Sequence, residues 1–169
     1  MTGTRTVRTA DVEGVIRHIL EPVSGVVEIV ATKRSVPDSH ALELHVSPHS
    51  KTAAPVWVMA VDGGEDISLS IGEHTVLEIW GTETRNVLAE LAEICEAIVA
   101  GRFSETLWVM NDGYVARSKS RIGLSSETLR PAHWSSRGRF ARKTKRVVSY
   151  TPYSTNRSGI RSASAPPYE

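Results

Sequence analysis

Three short apolar runs, separated by glycine-containing turns, constrain the fold of this chain more than any other feature. The runs are Val56–Val61, residues 67–71 and Thr75–Trp80, and the connections between them contain Gly63 and Gly72. Connections this short join antiparallel neighbours, because parallel strands need a long crossover. In the middle run, apolar residues alternate with Asp and Ser, which is typical of a strand with one buried face. The sequence therefore predicts an antiparallel meander with one side covered.

Further elements flank this meander. Apolar residues recur at helical spacing over Thr9–Leu20 and, most clearly, over residues 84–100, where Gly101 is placed to end the helix. Residues 25–33 and 40–47 have the composition or alternation of strands. Phe103–Met110 and residues 114–122 predict a hairpin around Asn111, Asp112 and Gly113.

Strands followed by a helix and a hairpin predict an α+β fold, in which an antiparallel sheet is covered by the long helix and the short N-terminal helix. Residues 1–122 are expected to form this domain. Residues 123–169 are rich in Ser and Arg and are expected to be a largely disordered, flexible basic tail. Within the tail, a helical wheel over residues 138–149 separates apolar from basic side chains, so this segment is able to form an amphipathic helix.

The composition restricts the class of protein. The chain has 169 residues and a single cysteine, Cys95, which excludes an internal disulfide framework. No apolar run resembles a signal peptide or reaches the length of a transmembrane helix, so we expect a soluble, cytoplasmic protein. The sequence leaves the oligomeric state open.

Charge is strongly segregated along the chain. Residues 1–116 carry 17 acidic and 8 basic residues, whereas residues 117–169 carry 12 basic residues against Glu127 and Glu169. The formal net charges are therefore −9 and +10, although the whole chain carries only +1. Such segregation favours association with a partner of opposite charge.

The leading hypothesis is a non-catalytic protein that binds a polyanion, most plausibly nucleic acid without sequence specificity. Alternation places Arg117, Lys119 and Arg121 on one side of the last predicted strand. Aromatic residues that could stack on bases are interleaved with the cations: Trp108, Phe140 and Tyr150. The tail supplies the remaining cations of the candidate surface, which are Arg137, Arg139, Arg142, Lys143, Lys145 and Arg146.

The position of Trp108 depends on the hairpin turn. A two-residue turn at Asp112 and Gly113 places Trp108 opposite Arg117, which permits a cation–π contact. A three-residue turn places Ala116 there instead. The sequence does not distinguish these registers.

Two other interpretations of the charge pattern stay open. The basic tail could lie against its own acidic domain. Alternatively, the domain could be a protein-binding module, such as an immunity-type or regulatory protein, that covers a basic partner with Glu90, Glu93 and Glu96 while the tail acts as a tether or as an intramolecular cover. An amphipathic tail could also rest on an anionic membrane, but its apolar side is small.

Signals for catalysis are weak, and no cofactor is expected. His45 and His49 are the one place where a metal or catalytic group is conceivable, but their spacing does not favour a metal site. Cys95 lies inside the long helix, where packing is the expected role. Gly63 and Gly64 are followed by Glu65 and Asp66, which would repel a phosphate. The balance leans against an enzyme.

Overall fold

A computed structural model describes residues 7–37, 39–64, 66–81, 83–134 and 143–154. The predicted α+β class is confirmed by two helices and two antiparallel sheets. The helices are α1 (Thr9–Leu20) and α2 (Thr84–Val99), and a 3₁₀ helix (Glu21–Val26) follows α1. The strands are β1 (Val27–Val36), β2 (Ser39–Pro48), β3 (Val56–Val61), β4 (Asp66–Ile71), β5 (Thr75–Trp80), β6 (Phe103–Met110), β7 (Val115–Gly123), β8 (Thr128–Leu129), β9 (Ala132–Trp134) and β10 (Lys143–Ser149).

Sheet A contains β1 to β5 in chain order, so the predicted meander is confirmed and is extended by β1 and β2. Its inner side is apolar: Leu44 pairs with Val58, Val58 pairs with Leu69, and all three are buried. The core is completed by Leu91, Ile98 and their neighbours on the apolar stripe of α2, together with α1.

The start of α1 and the end of α2 are each stabilised by an identifiable feature. Helix α1 has no side-chain cap of its own, and Asp62 Oδ1, from the β3–β4 turn, accepts the Thr9 amide at 2.6 Å instead. Gly101, after α2, has φ = +71°, which is the left-handed conformation expected at this position. In the described part of the chain, neither helix is long and apolar enough to cross a membrane.

The sequence predicted that the hairpin and the meander belong to one sheet. Instead, the hairpin forms the centre of a second sheet. Sheet B has the order β10-β6-β7-β8, and β9 also pairs with β7. Side chains connect the two sheets: Thr75 Oγ1, at the start of β5, hydrogen-bonds Ser120 Oγ of β7. Buried polar contacts therefore replace a continuous backbone ladder at this boundary.

The prediction of a helix over residues 138–149 is wrong for residues 143–149, which form β10. Lys143 pairs with Met110 and Ser149 pairs with Ser104, so the segment completes the open edge of β6. Thr144, Val147 and Val148 are β-branched and fit a strand, and this long-range partner is invisible in a local helical wheel. The domain also extends beyond residue 122, through β8, β9 and β10. Residues 135–142 and 155–169 of the predicted tail lie outside the described residues.

Candidate nucleic-acid interface

The β6–β7 hairpin has a three-residue turn followed by a bulge. The Met110 amide donates to Tyr114 O at 2.8 Å, and Val109 faces Val115. The register then shifts by one residue at Ala116, so that Trp108 faces Arg117. The guanidinium carbon of Arg117 lies 4.5 Å from the centre of the Trp108 ring. A cation–π contact therefore forms by a combination of turn and bulge that the sequence did not predict.

Strand β7 has a basic outer side and a buried inner side. Ser118, Ser120 and Ile122 are 3 % exposed or less, whereas Lys119 and Arg121 are exposed and Arg117 is half-buried. The predicted alternation of the three cations is therefore present on an ordered strand. Arg121 faces Ser104 and Lys119 faces Thr106 across the ladder to β6, so the cations stand among small polar side chains.

Strand β10 adds two cations to this side of sheet B. Residues that face each other in a ladder project to the same side, so Lys145, opposite Trp108, and Lys143, opposite Met110, join the outer side. Trp108 therefore has a cation on each neighbouring strand, Arg117 on β7 and Lys145 on β10. We define the basic face as the outer residues Trp108, Arg117, Lys119, Arg121, Lys143 and Lys145.

Little negative charge opposes the basic face. The described outward positions of β6, β7 and β10 include no acidic residue. Among the described residues, Lys119, Arg121, Lys143 and Lys145 form no ion pair. Arg146 differs, because it projects to the opposite side of β10 and forms an ion pair with Glu73 of the β4–β5 turn. One predicted cation thus binds its own domain, while two neighbours on the same strand project outwards.

The remaining predicted members of the interface are Tyr150 and four residues that the structure does not describe. Arg137, Arg139, Phe140 and Arg142 lie outside the described residues. Tyr150, a predicted stacking residue, is wrong for that role because its side chain is buried against Phe103, with 4.9 Å between ring centres.

A buried carboxylate beneath the basic face is the main polar feature that sequence reasoning missed. Glu105 is completely buried, and its Oε1 accepts hydrogen bonds from the His74 amide at 2.9 Å and from Thr75 Oγ1 at 2.6 Å. Its Oε2 accepts from the Glu73 amide at 2.9 Å and from Tyr150 Oη at 2.6 Å. Burial and the adjacent Glu105 carboxylate raise the pKa of Tyr150. Glu105 therefore connects β6 to the β4–β5 turn and to the end of β10.

The neighbouring Gly72 explains how the Glu105 side chain fits, and the pattern of β6 explains why it points inwards. Gly72 has φ = +64°, and a Cβ atom at this position would lie 2.6 Å from Glu105 Oε2 and from Tyr150 Oη, so glycine is required both for the turn and for space. The sequence signal for burial was the alternation along β6, because Glu105 lies between the inward residues Phe103 and Leu107.

The predicted acidic partner surface is only partly available. Glu90 and Glu96 are exposed on α2, but Glu93 accepts hydrogen bonds from the Ser125 amide at 2.8 Å and from the Ser125 hydroxyl. Among the described tail residues, Ser125 contacts the acidic face of α2. The basic strand β10 does not, because it pairs with β6 at the edge of sheet B.

The residues considered for catalysis do not converge. His45 stacks on Trp57 with 5.3 Å between ring centres, and the described residues contain no cluster of three or more groups able to bind a metal. Burial raises the pKa of Cys95 to about 12. A cleft of about 110 Å³ between the sheets is lined by His74, His133 and buried hydroxyls, but the hydroxyls of Thr75 and Ser120 bond to each other.

The outer side of sheet A also has exposed side chains, but its chemistry is different. Trp57 and Met59 project from its central strand with 40 % and 42 % of their surface exposed, and Trp80 at the β5 edge is 63 % exposed. We define the apolar face as the exposed outer residues Val30, Trp57, Met59, Val61, Val76 and Trp80. No family model, curated protein or solved structure matches this chain.

Proposed function

We propose that the protein binds nucleic acid without sequence specificity through the basic face. The observation that carries this proposal is the placement of five cations and one aromatic ring on one side of a sheet, without an acidic residue at the described outward positions. Lys119, Arg121, Lys143 and Lys145, which form no ion pair among the described residues, are available for phosphate oxygens. Phosphate contacts alone do not distinguish base sequences, so binding is expected to be unspecific.

Trp108 favours a single strand over a duplex within this proposal. An aromatic ring on a sheet surface stacks on unpaired bases, and this is how four-stranded RNA-binding sheets hold their ligands. The neighbouring Lys145 is placed to contact a phosphate beside a stacked base. In a duplex the bases already stack on each other, so Trp108 contributes less.

Salt dependence gives the first test. If the five cations each contact one phosphate of a single strand, the affinity should fall by about 100-fold between 50 and 200 mM salt. The measurement is fluorescence anisotropy of a labelled oligonucleotide of about 16 nucleotides, in parallel with the corresponding duplex. Absence of salt-dependent binding to either ligand would refute the proposal.

Charge reversal locates the site. We expect Lys119→Glu with Arg121→Glu to lower the slope of log single-strand affinity against log salt by about 0.7 for each lost contact. Lys51→Glu with Arg85→Glu is the matched control, because it makes the same charge change at exposed positions outside the basic face. An equal loss in the control would show that net charge, rather than the basic face, governs binding. Truncation after residue 122 is unsuitable here because it removes β8, β9 and β10.

A further inference from the structure

Strand β1 is an edge of sheet A with which no described strand other than β2 pairs. It pairs with β2 along its whole length, from Val27 opposite Pro48 to Val36 opposite Ser39. Its other edge faces away from the sheet, since β1 is terminal in the strand order. Its last seven residues are all exposed. An edge strand of ten residues is a template for pairing with another strand.

The hydrogen-bonding pattern shows which residues of β1 point outwards. The His49 amide donates to Val26 O at 2.8 Å, and Pro48, which has no amide hydrogen, faces Val27. In an antiparallel ladder the bonded and non-bonded pairs alternate. The even-numbered residues of β1 therefore bond to β2, and the odd-numbered residues, from Val27 to Ser35, direct their amides and carbonyls towards the open edge.

We propose that this edge binds the same edge of a second copy of the chain, in an antiparallel pair centred on Ala31. Outward backbone groups must face outward groups, which restricts the pairing to registers that match odd-numbered residues with each other. The register centred on Ala31 pairs residues 27–35 and places Glu28 opposite Arg34 on the outer side of the sheet. Twofold symmetry makes this charge pair twice.

The alternative register of equal length lacks this complementarity. Centring the pair on Thr32 places Glu28 opposite Val36 and Arg34 opposite Val30, so neither charge faces a charge of opposite sign on the second copy. Cross-strand pairs of opposite charge stabilise a ladder, so the register centred on Ala31 is favoured. It forms about ten backbone hydrogen bonds over a length of about 30 Å.

A charge that would otherwise protect the edge is already neutralised. An inward-pointing lysine commonly prevents edge pairing because burial would isolate its charge. In this chain Lys33 projects to the inner side of sheet A, and its Nζ lies 2.8 Å from Glu13 Oε2 of α1. The ion pair allows Lys33 to approach a second copy without an isolated charge. The product is a continuous sheet of ten strands with the apolar faces of both copies on one side.

Disulfide trapping tests the register directly. In the proposed pair the two Ala31 Cα atoms are about 5.5 Å apart, which is within disulfide range, so Ala31→Cys should cross-link under mild oxidation. Ser35→Cys is the matched control on the same edge, because its two copies would be separated by about 27 Å. Native Cys95 is buried and should not contribute. Equal cross-linking of both variants, or none in Ala31→Cys, would overturn the proposal.

Charge exchange tests the contact in the unmodified assembly. Sedimentation equilibrium should show a concentration-dependent dimer of the full chain, and Arg34→Glu should weaken it about tenfold by placing like charges opposite each other. Adding Glu28→Arg should restore the dimer. Both variants lose the bond from Arg34 to Glu43 within the chain, so recovery in the second can come only from the partner copy. A monomeric wild-type chain at all concentrations, or no recovery, would contradict the proposal.

Discussion

The uncovered sides of the two sheets differ in chemistry although their strands are paired in the same antiparallel manner. The outer side of sheet A carries Trp57, Met59 and Trp80, whereas that of sheet B carries Trp108 among cations. The difference follows from the side chains at alternate positions and not from the architecture. The two sheets therefore present different surfaces, an apolar one on sheet A and a positively charged one on sheet B.

Many acidic residues of the domain are used internally. Glu13 bonds both Arg17 and Lys33, which lower its pKa, and Glu43 bonds Arg34 on the outer side of sheet A. Glu105 is committed to four donors beneath the basic face. The exposed lysines of the basic face have no such internal contacts among the described residues. The lysines of the basic face are therefore available to a ligand, although the domain contains many acidic residues that could have neutralised them.

The largest expected effect tests the acid that holds the sheets together. Glu105→Ala should lower the free energy of unfolding by about 3–5 kcal/mol, because two buried hydroxyls and two part-buried amides lose their acceptor. Glu105→Gln should cost less, since one of the two oxygens is retained. The exposed acid Glu78 of sheet A is the control, and Glu78→Ala should change stability by less than about 0.5 kcal/mol. Urea unfolding of the three variants measures this order, and equal losses for Glu105→Ala and Glu78→Ala would contradict it.

The next effect separates the tryptophans of the two outer sides. Trp108→Ala should weaken single-strand binding by about 1–3 kcal/mol, the usual contribution of one stacked base. Trp57→Ala, which removes an exposed ring from the apolar face, should leave the affinity unchanged. Anisotropy titrations at one salt concentration make the comparison. A loss in Trp57→Ala as large as in Trp108→Ala would show that the apolar face takes part in binding.

Some elements of the fold could be predicted from the sequence and others could not. Helix α2 and the meander followed from local spacing, because their patterns repeat over several turns or strands. Strand β10 could not be predicted in this way, because its residues also fit the pattern of an amphipathic helix. Pairing with the edge of β6, which is distant in the sequence, determines that they form a strand. The contact between Trp108 and Arg117 required a bulge at Ala116 that no residue pattern indicated.

Glu105 is the instructive intermediate case. Its position between Phe103 and Leu107 is a sequence signal for an inward direction, but a carboxylate is rarely buried without partners. Those partners come from residues 73–75 and from Tyr150, which are distant in the sequence. Local alternation could therefore indicate where the side chain points, whereas the reason it is tolerated there required the tertiary structure.

The smallest effect concerns an acid that sheet A uses to hold α1. The Thr9 amide, bonded to Asp62 Oδ1, is the main cause that lowers the pKa of Asp62. A carboxylate with a lowered pKa in the folded state stabilises the fold above its unfolded pKa of about 3.9, and this contribution is lost as the pH falls through the folded value. Because Asp62 is partly exposed at a helix N-terminus, the contribution should be only about 0.3–1 kcal/mol.

Asp62→Asn tests this contribution, because the amide oxygen can still accept the Thr9 hydrogen bond but carries no charge. The stability difference between wild type and variant should be constant above about pH 5 and should shrink as the pH falls below about 4. Thermal unfolding at several pH values measures the difference. Asp66→Asn, at the start of β4, is a control for general acid sensitivity. A gap that widens on acidification would show that the Asp62 charge destabilises α1, and the contrast between internally used acids and available cations would then lose one of its supports.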